Sequence, residues 1–417
     1  MHVIVIGAGI VGASAALELI RDGHQVTILE AGEPGGRQSA SYGHGCWISP
    51  ASVVPMSMPG LWKQIPSYLL NPKGPLVISW RHIIKLLPWL VRFLIAGSTV
   101  ARVEKTARAL STLLGDSPQR HLKLAEELGL SHLIRQEGLL YAYPGRQNFE
   151  AEKLSWHLRS MTGLRWKELN ARQLHTREPH LSNRYNFGVL AEDGAHCVDP
   201  GAYVAAIVSA AIARGATLVK ARANGFVFDD NSLIAVETDS GRLECDRAVI
   251  ASGVWSKALA RKAGDRIPLE AERGYHGVLV CAEQGPLHPV MPSDGKMANT
   301  PTSKGLRLSG QVELASVETP PNWKRVDILI EHALSTYDHL TPRAEMKLDR
   351  WMGHRPSTPD GLPVIGASSR SNNVFYAFGH GHVGFASGPI TGRIVADMVS
   401  GKAPTSSIEA FSPRRFA

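Results

Sequence analysis

The residues best suited to chemistry lie at the two ends of the chain. Gly7-Ala-Gly9-Ile-Val-Gly12 follows a short apolar run, His2–Ile6, and precedes Ala13–Arg21, which has helical spacing. Gly7 permits a tight turn, Gly9 lets backbone amides approach a pyrophosphate, and Gly12 lets helix and strand pack closely. The N-terminus of the helix adds partial positive charge for the phosphates. Asp22-Gly23 stops the helix and Gln25–Glu30 reads as the next strand, with Glu30 placed 18 residues after Gly12. That acid suits a ribose hydroxyl pair and would repel a 2′-phosphate, which argues against NADP; the motif leaves FAD and NAD open. Toward the other end, the strand Asn373–Phe378 meets Gly379-His-Gly-His-Val-Gly384 and a helix over Phe385–Val399. The order strand, glycine loop, helix recurs without pyrophosphate spacing, and a helix N-terminus there would stabilise negative charge developing on a ligand.

These segments need a scaffold, and the chain is long enough to supply one. Its 417 residues correspond to roughly two to three domains, and 44% hydrophobic content excludes a disordered or fibrous chain. The coarse pattern gives a helix over Pro200–Arg214 and strands over Ala216–Ala221 and Arg242–Ala251. Further strands are expected at Gly138–Tyr143, His276–Ala282 and Leu306–Ala315, and a helix over Lys324–Tyr337. There is no internal repeat and no long low-complexity linker. Cys46, Cys197, Cys245 and Cys281 are scattered without a C-x-x-C pair, so neither a metal site nor a disulfide framework is expected and a reducing compartment is the default. No secretory signal is expected, because the first strand runs straight into the glycine motif. No stretch reaches the ~18 apolar residues of a spanning helix.

Four blocks carry a resemblance: Gly7–Gly12 with Glu30; the loop Gly36-Arg-Gln-Ser-Ala-Ser-Tyr-Gly-His-Gly45; Val249-Ile-Ala-Ser-Gly-Val-Trp-Ser256; and Gly353–Gly384, with Gly-His-Arg-Pro and Gly-His-Gly. Together, over nearly the full length, they resemble the FAD-dependent family that includes D-amino-acid dehydrogenases, glycine oxidase and sarcosine oxidase. Glu272-Arg-Gly-Tyr-His276 and Gly305-Leu-Arg-Leu-Ser-Gly310 look closest to the bacterial D-amino-acid dehydrogenases. Two departures stand out: Ser252 where threonine is usual, and His354 where leucine is commoner.

The resemblance implies an α/β fold with a discontinuous Rossmann-like FAD-binding domain (1–50, 191–265 and 351–417). A second, α+β substrate domain (51–190 and 266–350) would carry a mixed or antiparallel sheet. It implies FAD contacts from Gly7, Gly9, Ile10, Val11, Gly12, Glu30 and Ala31, from Arg37, Gln38 and Ser39, and from Ser252, Gly253 and Trp255. At the C-terminal loop it implies Gly379, His380, Gly381, His382, Val383 and Gly384. Arg355 matches the family's carboxylate-binding arginine, whose planar fork can hold a carboxylate with two parallel hydrogen bonds. Arg273 and Tyr275, at i and i+2, share one strand face; they are expected on the substrate side of the flavin, with packing at the domain junction as the alternative. His44 is expected near flavin or substrate. The implied reaction oxidises a D-amino acid or related amine to an imino acid, with hydride passing from substrate carbon to flavin N5, and water then yields a 2-oxo acid. No acid–base dyad is expected, since solvent or a bridging water can take the amine proton. With no cysteine after residue 281, non-covalent FAD is expected.

The charge of +8 is unevenly placed. Residues 61–108 hold eight cations (Lys63, Lys73, Arg81, Lys85, Arg92, Arg102, Lys105, Arg108) against Glu104 alone. Such a stretch favours an anionic partner. No RNA-binding module is recognisable, so nucleic acid is not expected. Trp80–Ile95 mixes aromatic, aliphatic and cationic residues. On a helix, Trp80, Ile83, Ile84 and Leu87 would form a stripe beside Arg81 and Lys85, with a kink or restart at Pro88. The segment either docks on an anionic membrane surface or packs inside the substrate domain. Docking would make the protein cytoplasmic and peripheral on the inner face of the membrane, with a quinone or other carrier as electron acceptor. An oxygen-using oxidase and a flavin subunit of a larger complex remain as alternatives.

Overall fold

The computed structural model describes residues 1–64, 74, 76–78, 82–280, 283–340 and 347–417. Trp80, Arg81, Lys73 and Cys281 lie outside the described residues.

The apolar strands His2–Ile6 and Gln25–Glu30 pair in parallel, as continuous buried runs do when helices cover both faces. The sheet runs in the order Thr217–Lys220, Gln25–Glu30, His2–Ile6, Arg247–Ile250, Val374–Phe378, Val364–Ala367, and only the last strand is antiparallel. The helices Ile10–Arg21 and Gly384–Val399 cross closely on one face. A Cβ on Gly388 would come within 2.7 Å of Ile10, and one on Gly392 within 2.6 Å of the Ser14 backbone. The chain ends of the first and last βα units therefore meet at one edge of the sheet, which brings the two glycine loops together.

A second, mixed sheet runs Leu348–Ser357, Glu270–Leu279, Gly305–Leu314, Ala298–Thr302, Val290–Pro292, Leu139–Tyr143, Phe187–Ala191, Lys167–Asn170, with Leu76–Ile78 added beside Gly305–Leu314. Its pairings are antiparallel except Val290–Pro292 with Leu139–Tyr143 and Leu76–Ile78 with Gly305–Leu314. The helix Lys324–Thr336 covers one face through Val326 and Leu329, which pack with Tyr275 and Leu308. The other face looks toward the parallel sheet.

Four expectations change. Arg242–Ala251 is two strands: Gly241–Glu244 joins a small antiparallel sheet with Ala223–Asp229 and Ser232–Thr238, and Arg247–Ile250 joins the parallel one. Cys245-Asp246 carries the chain between them, bonded to Ile234 O and His2 O respectively. The helices Val100–Leu114 and Ser117–Glu127, expected within the substrate domain, bury Val103, Ala107, Leu110, Leu114 and Ala125 in the core shared with Ile10–Arg21 and Gly384–Val399. The expected boundary at 351 falls inside the strand Leu348–Ser357 of the mixed sheet. The helix Ile83–Ala96 runs unbroken through Pro88. The carbonyl that loses its partner there belongs to Ile84, which is 84% exposed, so water replaces the missing N–H.

Candidate active site

Gly9 begins the helix Ile10–Arg21 without a side-chain cap, and the Ser41 hydroxyl accepts from the Ile10 amide at 3.0 Å. The next amides lack intrahelical acceptors and face outward as an anion site. Gly7 sits at φ +104°, where a Cβ would approach the Ala251 carbonyl within 2.6 Å. A Cβ on Gly12 would overlap the Gly7 carbonyl, so only glycine lets this helix start here. At the tip of the second strand, Glu30 accepts from the Ala8 amide at 2.7 Å and the Gly32 amide at 3.0 Å. Each carboxylate oxygen keeps a further lone pair for a ribose hydroxyl.

From this corner a cavity of about 1510 Å³ runs along the edge of the parallel sheet to the mixed sheet. That exceeds the roughly 300–1,000 Å³ of drug-sized ligand sites and leaves room for a dinucleotide and a small substrate. Gly7, Gly9, Ile10, Val11, Glu30, Ala31, Gln38, Ser39, Ser252, Gly253, Trp255, His380, Gly381, His382, Val383 and Gly384 line it. The nucleotide cradle, the acid and the second helix N-terminus thus share one space, and these residues fit FAD.

The substrate side is built by strand parity. Glu270–Leu279 and Leu348–Ser357 pair so that Glu272 faces Arg355, Gly274 faces Gly353 and His276 faces Trp351. Glu272, Trp351 and Arg355 line the cavity. Arg355 is half-buried, and a Cβ on Gly274 would lie 2.5 Å from its Nη2, so the guanidinium lies across the gap where Gly274 has no side chain. Its one hydrogen bond among the described residues is a long one, Nη1 to Gln311 O at 3.4 Å. Burial lowers the Arg355 pKa, and Glu272 opposes that shift; burial raises the Glu272 pKa, against the pull of Arg355 and the nearby Ser357 hydroxyl.

His44 also lines the cavity. Its ring stacks on Phe385 at 4.7 Å, and Arg307 donates to the Tyr42 and His44 carbonyls at 3.0 and 2.9 Å. Among the described residues its buried Nδ1 has no partner. Burial, then the charges of Arg355 and Arg307, push its pKa down to about 3, so the ring is neutral. His380 donates to or accepts from Thr391 Oγ1 at 3.1 Å, and burial holds it at about 3 and His382 at about 4.

Other expected residues sit elsewhere. Arg273 and Tyr275 share a face, but it is the face turned from the cavity. The Tyr275 hydroxyl donates to Glu313 Oε2 at 2.5 Å, Arg273 Nη1 lies 3.1 Å from the same oxygen, and Arg273 also donates to the Thr319 and Pro320 carbonyls. They lock the back of the sheet and cannot meet a substrate held by Arg355. Arg37 is drawn off by Asp349 and the Arg350 carbonyl, at 2.8 and 2.6 Å, outside the cavity lining. Gly12 acts through packing alone, and Gly379, at φ +83°, forms the turn beneath His380. Conversely, Ser41, Arg222–Asn224 and Glu272 line the cavity without having been singled out. For Glu272 a signal existed, since it shares strand parity with Gly274, over which Arg355 lies.

The profile of the FAD dependent oxidoreductase family (DAO) matches residues 2–398. The chain is 50% identical over 417 residues to a D-amino-acid oxidase of Bradyrhizobium diazoefficiens, covering 100% of this chain and 99% of that protein. It is 29% identical over 424 residues to a D-amino acid dehydrogenase of Methylobacterium radiotolerans, covering 100% of both. Its fold superposes on glycine oxidase from Geobacillus kaustophilus with a TM-score of 0.75 at 21% identity, covering 100% of this chain and 98% of that one. With cradle, cavity and sequence in agreement, the chain belongs to the FAD dependent oxidoreductase family.

Proposed function

We propose that the protein oxidises a D-amino acid or a related amine to an imino acid, using FAD held without a covalent link. The observation that carries this is Arg355: a half-buried guanidinium that opens onto the same cavity as the nucleotide cradle and has no carboxylate within 4 Å among the described residues. A half-buried cation facing a cavity without an acid partner is an open carboxylate site, and a substrate carboxylate would complete it with two charge-assisted hydrogen bonds. The D configuration is supported by the names of the relatives above. Bound FAD supplies the hydride acceptor. Arg355 fixes the substrate carboxylate, and with it the direction of the Cα–H bond. Trp47, Tyr141, Leu90 and Phe93 wall the cavity and exclude water. Cys46, Cys197 and Cys245 are buried away from the lining, which supports a cofactor released by acid.

For the electron acceptor we propose a quinone or other carrier reached at an anionic membrane surface, on its cytoplasmic side. Ile84, Leu87, Val91 and Ile95 form an exposed stripe on the helix Ile83–Ala96, at 84, 56, 48 and 49% exposure. Lys85 and Arg92 are exposed beside it. The helix also lines the cavity through Leu90, Phe93 and Leu94, with Leu87 and Val91 of the stripe at its rim, and Trp89 donates to the Ser357 carbonyl at 3.2 Å. One helix thus carries both an exposed apolar stripe and part of the cavity wall, which supports an interfacial rather than a spanning role. No described single helix is long and apolar enough to cross a membrane. Oxygen is the second reading, favoured by the 50% identical relative named an oxidase. Incubation with D-amino acids and either a soluble quinone or air, with 2-oxo acid and ammonia measured, tests both parts. Absence of 2-oxo acid with every acceptor refutes the reaction, and faster turnover in air than with quinone selects the oxidase.

A further inference from the structure

The mixed sheet places a buried ionisable group beside Arg355, and the reaction proposed above gives Arg355 only half of the substrate to hold. Glu272 is 5% exposed and lines the cavity. It stands directly opposite Arg355 in the antiparallel register. Facing residues in such a pair have Cβ atoms ~4.5–5.5 Å apart, so the two side chains leave the sheet together on the same face. No ion pair joins them within 4 Å; the guanidinium instead leans over Gly274, two residues along from Glu272. A carboxylate and a guanidinium, side by side and unjoined at one end of a cavity, form the charge complement of an α-amino acid zwitterion.

We propose that Glu272 is a catalytic residue that receives the substrate ammonium and takes its proton before oxidation. This rests on the amino-acid reading of the site. In the first step one ammonium N–H bond breaks and an O–H bond forms on Glu272, giving a neutral amine and a neutral carboxylic acid. In the second the Cα–H bond breaks, its electron pair leaves as hydride to FAD, and the nitrogen lone pair closes the C=N bond. The imino acid leaves protonated on nitrogen, and Glu272 returns its proton to solvent between turnovers. The burial that raises the Glu272 pKa makes its carboxylate a better proton acceptor.

The groups around Glu272 can be separated from it. Arg355 and Ser357 face it from the neighbouring strand. His382 and Gly381 face it from the C-terminal glycine loop across a small side cavity. His44 lies across the main cavity. Glu270, two residues back on the same face, pairs with His82 at 3.5 Å, and Trp89 closes the helix side through Ser357. His44 and His382 are held at about 3 and about 4 by burial, so neither titrates where a raised carboxylate does.

The test compares FAD-loaded wild type, Glu272→Gln and Glu272→Asp. The wild-type kcat/KM should fall as pH drops through the Glu272 ionisation. In Glu272→Gln that limb should disappear, leaving the higher ionisation of the free substrate ammonium, and kcat/KM at neutral pH should drop about 10²-fold. Glu272→Asp should keep a carboxylate limb with a raised KM, and it carries the test if the glutamine variant does not fold. Binding gives an independent readout. A carboxylate without an amine, followed by its perturbation of the flavin spectrum, should bind Glu272→Gln at least as tightly as wild type, whereas amino acids bind it more weakly. A Glu272→Gln profile superimposable on wild type, or equal weakening of both ligands, would overturn the proposal. If no amino acid reduces the wild-type flavin at all, the functional reading itself fails, and this assignment fails with it.

Discussion

Gly274→Ala tests the position of Arg355 without touching its charge. Gly274 lies inside the strand Glu270–Leu279 with no left-handed backbone angle, so alanine is accepted by the backbone and is worth roughly 0.5–1 kcal/mol over glycine in a strand interior. The new Cβ would stand 2.5 Å from Arg355 Nη2, 2.6 Å from Cζ and 2.9 Å from Nε. Carbon contacts settle at about 3.5–4.0 Å, so the guanidinium must retreat by about 1 Å. The end of a long side chain gives way more readily than the sheet, so the displacement falls on the carboxylate clamp. A misplacement of about 1 Å can lower the rate about 10²-fold, and losing one charge-assisted hydrogen bond costs about 1.5–3 kcal/mol. A fall in kcat/KM of about 10- to 100-fold is therefore expected. FAD content should stay stoichiometric and Tm should hold or rise. Anaerobic stopped-flow reduction of the flavin by a D-amino acid, with FAD content and Tm measured on the same preparation, is the assay. A kcat/KM within twofold of wild type would show that the guanidinium does not work from its place over Gly274.

Arg355→Lys should retain FAD but raise KM and lower kcat, since a single ammonium cannot make the two parallel bonds; the expected loss is about 10- to 100-fold in kcat/KM, and wild-type kinetics would remove Arg355 from the site. His121 is buried between the Phe385 carbonyl at 3.0 Å and the Tyr203 hydroxyl at 3.2 Å, and burial holds it at about 4. Because its folded pKa is depressed, the unfolded chain binds the extra proton first: stability is full above about pH 6.5 and is lost as pH falls toward 4, by about 3 kcal/mol for this one ring. Calorimetry from pH 7 to 4 should show Tm falling, and His121→Gln should flatten the fall; a parallel curve would place the proton uptake elsewhere. Replacing Ile84 and Ile95, which lie outside the cavity lining, by serine should weaken flotation with anionic vesicles at low salt and leave turnover with a soluble quinone unchanged, whereas a wild-type protein that does not float refutes lipid docking.

The local parts of this architecture were legible because their determinants are local. Gly7–Gly12 with Glu30 reads as strand, turn, helix, strand, and the structure builds the parallel sheet around it. The mixed sheet's face was not legible. Glu270–Leu279 is buried on both sides for nearly its whole length, so alternation groups Arg273 with Tyr275 without saying which group meets the cavity. Glu313 on the neighbouring strand decides it, taking Arg273 and Tyr275 to the back and leaving Glu272 beside Arg355. The helices Val100–Leu114 and Ser117–Glu127 follow the basic segment in sequence but pack beneath the parallel sheet, a long-range choice their own heptads do not encode. Arg37 has the composition of a phosphate ligand, and Asp349, 312 positions away, claims it.

An amino-acid head group held by Arg355 would deliver its hydride to FAD in the same cavity. Bleaching of the bound flavin's visible absorbance, under strict anaerobiosis, against a panel of D- and L-amino acids and N-methyl amines measures that step without any acceptor. The account predicts a yellow protein whose FAD is released by acid and whose colour is lost with at least one D-amino acid, slowed when the α-hydrogen is replaced by deuterium. A protein that cannot be reconstituted with FAD, or a flavin left oxidised by every member of the panel, would contradict it.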